Sequence, residues 1–129
     1  MTKDGVIVDT SVWIAFFRDR QPIAGELATL VEAGQAFLTG IVIAEILQGI
    51  KSIREGKRIL EAVSGVPDLE ITNQIWAKIG LMSSSLRQQG ITLPLTDTAL
   101  AVLSLEHNVS LFTLDKHFER IPGVKLYRP

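Results

Sequence analysis

The chain reads as an α/β protein with a mainly parallel central sheet. Two observations predict this. Short apolar runs of three to five residues alternate with longer segments of helical period, the pattern that builds a parallel sheet covered by helices. No repeat, low-complexity tract or linker interrupts the alternation, and 129 residues fit one compact domain spanning 1–129.

In order, Gly5 to Val8 predicts a short buried strand. Thr10 to Arg18 turns helical. Pro22 opens a second helix running to about Ala33, which Gly34 stops. Ala36 to Thr39 is another short strand. From Ile41 the period changes, and Ile43, Ile46, Leu47 and Ile50 fall on one helical stripe. A further helix covers Ile53 to Val63 and ends at Gly65 and Pro67. Leu69-Glu70-Ile71 predicts a brief strand. Thr72 starts a long helix with Ile75, Trp76, Ile79, Met82 and Leu86 on one face, ending near Gly90. Thr98 to Glu106 is an apolar helix closed by His107-Asn108. Ser110 to Leu114 is a strand, Lys116 to Arg120 a short helix, and Val124-Lys125-Leu126 a last edge strand.

Composition narrows the function classes. At 47% hydrophobic and 21% charged residues the chain can bury a real core. It has no cysteine, which excludes a disulfide framework, a thiolate zinc site and a cysteine nucleophile, and fits a reducing cytoplasm. The opening Met1-Thr2-Lys3-Asp4-Gly5 does not resemble a signal peptide. The longest uncharged stretch, Ala33 to Ala44, has 12 residues, too few to span a bilayer.

Four acids stand in apolar surroundings: Asp9 after Val6-Ile7-Val8, Glu45 within Ile41 to Leu47, Asp97 within Leu93 to Leu100, and Asp115 after Leu111 to Leu114. Burying a carboxylate without a partner is costly, so such groups are paired, hydrogen-bonded or metal-bound. Lys116 is the one basic residue close to any of them in sequence. Asp9, Asp97 and Asp115 fall at helix starts, where each is also a good cap. Glu45, inside a helix, has no such explanation. Ligands of open parallel sheets bind beyond the carboxyl ends of the strands, which brings Asp9 and Asp115 to one crevice and Glu45 within reach of it. The shared site is therefore expected to hold a hard divalent cation. Net charge is −1, but setting the four acids aside leaves 10 acidic against 13 basic residues, a net of +3 that suits a nucleic-acid substrate.

The four segments together resemble the PIN-domain ribonucleases, in particular toxins of the VapC type. Val8-Asp9-Thr10-Ser11-Val12 is similar to the family's first motif. Glu45-Ile46-Leu47-Gln48-Gly49, after Thr39-Gly40, is similar to the second, Asp97-Thr98-Ala99-Leu100-Ala101 to the third, and Thr113-Leu114-Asp115-Lys116-His117-Phe118 to the fourth. Leu114 departs from the family's more usual polar residue. The resemblance spans nearly the whole chain and implies a three-layer α/β/α fold. It further implies hydrolysis of RNA with Mg2+ or Mn2+ held by Asp9, Glu45, Asp97 and Asp115, a cognate antitoxin received in a groove, and a homodimer. The alternative carried beside it is a non-catalytic scaffold of the same fold that binds RNA or protein. A receiver-type phosphoacceptor and an aspartyl phosphatase fit less well, since Ser11 stands where the phosphatase needs a second Asp.

Other residues carry weaker signals. Ser11 and Thr113 either bond local backbone or hold a ligand carboxylate or metal-bound water. His107 and His117 read as surface residues, with His117 near enough to Asp115 to touch a substrate phosphate. Lys51, Arg54 and Arg58 form one basic stripe if their helix is continuous; that stripe and Arg87 read as solvated surface before RNA contacts. Trp13 and Trp76 read as core or interface anchors.

Overall fold

The computed structural model describes residues 5–129; the first four, part of the opening that reads as unlike a signal peptide, lie outside the described residues. Strand β1 (Val6–Val8) is followed by α1 (Thr10–Phe17), α2 (Ile23–Glu32), β2 (Ala36–Phe37), α3 (Gly40–Gln48), α4 (Ile53–Val63), α5 (Asn73–Gln88), α6 (Leu95–His107) and β3 (Ser110–Phe112). A 3-10 turn covers Lys116–Arg120. The sheet order is β2-β1-β3, and both pairings are parallel. β1 is the central strand and is buried throughout, which is why Val6-Ile7-Val8 is unbroken apolar sequence rather than alternating.

Two expected strands shrink to single bridges. The segment at Leu69 reaches the sheet only through Leu38 and Asp68, where Leu38 N–H donates to the Pro67 carbonyl and Leu69 N–H to that of Leu38. Glu70 then faces solvent and Thr72 already caps α5, accepting from Ile75 N–H, so no residues remain for a ladder. The last segment bridges Leu111 to Leu126, with Leu111 N–H donating to the Lys125 carbonyl and Tyr127 N–H to that of Leu111. These bridges extend the parallel sheet by one contact on each side.

The sheet packs into one apolar core with Val12, Trp13, Leu27, Val42, Leu100, Leu103 and Phe118. Trp13 stacks on Phe17 and meets Phe16 edge-on, so α1 presents an aromatic cluster of its own. α2 ends at Gly34, whose φ of +70° is the left-handed conformation that closes a helix and that glycine adopts without a Cβ clash. Trp76 departs from the expected buried face of α5: it is 42% exposed, and Ile79 and Leu86 are the buried residues of that helix. The basic stripe is also broken. α3 stops at Gln48 and α4 begins at Ile53, so Lys51 sits in the connection while Arg54 and Arg58 stand exposed on α4. Among the described residues no helix is long and apolar enough to cross a membrane.

Candidate active site

The carboxyl ends of the strands carry the candidate residues. Asp9 follows β1 directly, and its N–H donates to the Phe112 carbonyl on β3 at 2.9 Å. This bond fixes the Asp9 backbone at the sheet edge. The side chain does not cap α1. Its Oδ2 accepts instead from Ser11 Oγ at 2.7 Å and from Thr113 Oγ1 at 2.8 Å, across 104 residues of chain. Oδ1 takes no hydrogen bond among the described residues. Asp9 is 3% exposed, the most buried of the four acids.

The same hydroxyls organise the loop after β3. Ser11 Oγ accepts from Leu114 N–H at 3.2 Å, and Thr113 Oγ1 accepts from Asp115 N–H at 3.0 Å. The two readings of these residues thus hold together: each binds backbone and orients a carboxylate. Asp115 begins the 3-10 turn and makes no side-chain cap. It is exposed, against the expectation of a buried group, as are Leu114 before it and Lys116 after it.

Glu45 sits half-buried in the second turn of α3. Its Oε1 accepts from Thr10 Oγ1 at 2.6 Å, which ties it to the residue after Asp9. Glu45 also opens onto a groove between α1, α3 and α4 lined by Ile14, Phe17, Arg18, Ile46, Glu55 and Ile59.

Asp97 comes from a helix that begins three residues earlier than the apolar run implies. Pro94 is the cap, and its carbonyl accepts from Asp97 and Thr98 N–H. A proline is tolerated at this entry because the first helical N–H groups have no intrahelical acceptor. Asp97 therefore lies inside the first turn and is not a cap. Its Oδ2 is 2.7 Å from His117 Nε2. Burial raises the Asp97 pKa above its ordinary value; the hydrogen bond and charge of His117 oppose this, while the like charges of Asp9 and Asp115 add to it. Those two charges place Asp9, Asp97 and Asp115 in one electrostatic neighbourhood.

Among the described residues no Lys or Arg pairs with any of the four acids; the ion pairs are Lys78 with Glu106, Arg128 with Glu119, and His117 with Asp97. Nor do three Asp, Glu or His side chains converge among the described residues into a finished cage. An ion such as Mg2+ needs only one or two direct carboxylates and keeps several waters. Oxygen donors with no Lys or Arg partner among the described residues, one of them with an oxygen that takes no hydrogen bond, fit such an ion.

The family model described as PIN domain matches residues 6–124. The chain belongs to the PIN-domain family. It is 26% identical over 124 residues, covering 92% of both proteins, to ribonuclease VapC11 of Mycobacterium tuberculosis and to a VapC ribonuclease of Mycobacterium bovis. Among solved structures, VapBC2 from Rickettsia felis bound to a promoter DNA fragment matches with a TM-score of 0.80 at 21% identity, over 95% of this chain and 96% of that one. A toxin–antitoxin complex from Klebsiella pneumoniae matches at 0.76 and 24% identity, over 97% and 100%. These structures establish the PIN-like α/β/α fold.

Two residues that touch the candidate acids do not stand out in the sequence. Thr10 was seen only as part of a motif, although a hydroxyl next to a candidate ligand was a usable signal. His117 reads in the sequence as a surface residue near enough to Asp115 to touch a substrate phosphate; nothing local links it to Asp97, 20 positions away.

Proposed function

We propose that this chain is a metal-dependent endoribonuclease, the toxin of a VapC-type toxin–antitoxin pair. It hydrolyses RNA phosphodiesters with Mg2+ or Mn2+ held by Asp9, Glu45, Asp97 and Asp115, acts in the cytoplasm, forms a homodimer and is restrained by a cognate antitoxin. The observation that carries the reading is the network that holds Asp9 Oδ2 through two hydroxyls and Glu45 through a third, beside Asp97 and Asp115. The whole-length likeness to VapC ribonucleases supports it.

When bound, the cation activates a water and neutralises charge on the phosphate. The chain's own part is orientation. Ser11 and Thr113 occupy one oxygen of Asp9 and leave Oδ1 for the ion. Thr10 keeps one oxygen of Glu45 turned toward the sheet edge. Asp115, which is exposed, would hold the ion directly or through water. The test is cleavage of total RNA by the purified protein with and without Mg2+ or Mn2+, beside Asp97→Asn. Loss of a ligand should cut activity more than about 100-fold while the fold survives. Equal cleavage by the mutant, or cleavage in chelator, would sink the reading; a folded, metal-binding wild type that cuts no RNA would favour the scaffold.

A further inference from the structure

We infer that His117 is a positioning residue that holds Asp97 in the orientation a metal ion requires. The inference rests on the proposed metal site. Its basis is the 2.7 Å contact between His117 Nε2 and Asp97 Oδ2, which joins the 3-10 turn to the first turn of α6. Both side chains are largely shielded, at 14% exposure for Asp97 and 30% for His117. The ring is not a loose surface group. It lies tilted against Phe118 at a centroid distance of 4.9 Å, and Phe118 is fully buried in the core with Ile121 close behind it.

Asp97 needs such a brace. It shares its surroundings with the like charges of Asp9 and Asp115, and among the described residues no Lys or Arg offsets them. Before a cation arrives, repulsion favours turning the Asp97 carboxylate away. A donor on Oδ2 opposes this and leaves the other oxygen available, the same division seen at Asp9, where the hydroxyls occupy Oδ2 alone. The segment Thr113–His117 thereby does three jobs. Thr113 holds Asp9, Asp115 supplies a carboxylate, and His117 holds Asp97. Partners that orient metal ligands in this way are worth about 10–100-fold in metal affinity.

The experiment is Mn2+ binding to the purified full chain, followed by electron paramagnetic resonance of the free ion, with thermal melts of each variant. His117→Ala is expected to weaken Mn2+ binding about 10–100-fold. His117→Gln, whose amide N–H reaches a similar place, should recover most of it. In an Asp97→Ala background His117→Ala should add nothing further, because the carboxylate that His117 positions is already gone. Unchanged Mn2+ affinity in His117→Ala, with only a raised KM for RNA, would mean the ring touches substrate and overturns the inference. So would losses that simply add in the double variant. If Asp97→Asn alone binds Mn2+ like the wild type, the metal reading itself fails. Should His117→Ala not fold, His117→Phe keeps the ring packing without the donor and is judged by the same outcomes.

Discussion

Helices α5 and α6 pack against each other yet are built on opposite plans. α6 is buried at seven consecutive positions, Thr98 to Ser104. α5 has 16 residues and buries only Ile79 and Leu86, while Trp76 and Leu81 face outward. Where they meet, Ile79 of α5 packs on Ala99 and Val102 of α6 in a small satellite cluster. A helix buried on all sides cannot shift or rotate without moving the core around it. That is the helix whose first turn delivers Asp97. The lesson is a division of labour: the immobile helix sets the position of an acid, and α5 covers one face of it.

The sharpest way to break this comparison is Leu100→Ala against Leu81→Ala. Leu100 is fully buried beside the sheet, and its truncation should cost about 2–5 kcal/mol in urea unfolding. A loss under 1 kcal/mol would mean that α6 is not the anchored element.

Thr113→Val probes the polar end of the site with little change in volume. It removes the donor to Asp9 and the acceptor for Asp115 N–H, and Mn2+ affinity should fall about 10-fold, or about 1.4 kcal/mol. Unchanged affinity would show that Ser11 alone orients Asp9.

A smaller effect follows from the raised pKa of Asp97. A carboxyl whose folded pKa exceeds its ordinary 3.8 binds its proton more tightly in the folded protein. Its stabilising contribution is complete below that value and is lost as pH rises through the folded pKa. In chelator, Asp97→Asn should therefore melt above the wild type near neutral pH, with the gap closing as pH falls toward 3.8. Added Mn2+ should raise the melting temperature of the wild type and not of the mutant. The opposite ordering in chelator would show that burial, with the neighbouring like charges, does not disfavour the ionised Asp97.

Smallest of all, Leu81→Ala should stay within about 0.5 kcal/mol of the wild type, since the side chain is 72% exposed. A larger change measured only at high protein concentration would place this face of α5 in contact with a second copy.

Much of the fold was legible because periodicity and punctuation are local. The unbroken apolar run at Val6–Val8 encodes a strand buried on both faces, Gly34 encodes a helix end, and Thr72 encodes a helix start. The brief strands at Leu69 and Val124 misled because β-propensity says nothing about whether a partner has residues left to pair. The structure starts α6 earlier than the apolar run at Thr98 implies, because the helix is set by the carbonyl of Pro94.

The sequence by itself determined the α/β order and singled out four acids as candidates, since both depend on residue type and spacing along the chain. Only the tertiary structure decided how those acids differ. Asp9 is buried and doubly held, Glu45 leans on Thr10, Asp115 is exposed, and Asp97 is braced by His117. The physical reason is that a hydrogen bond depends on separation in space. Contacts spanning 104, 35 and 20 residues exist only after the sheet has brought its strand ends together.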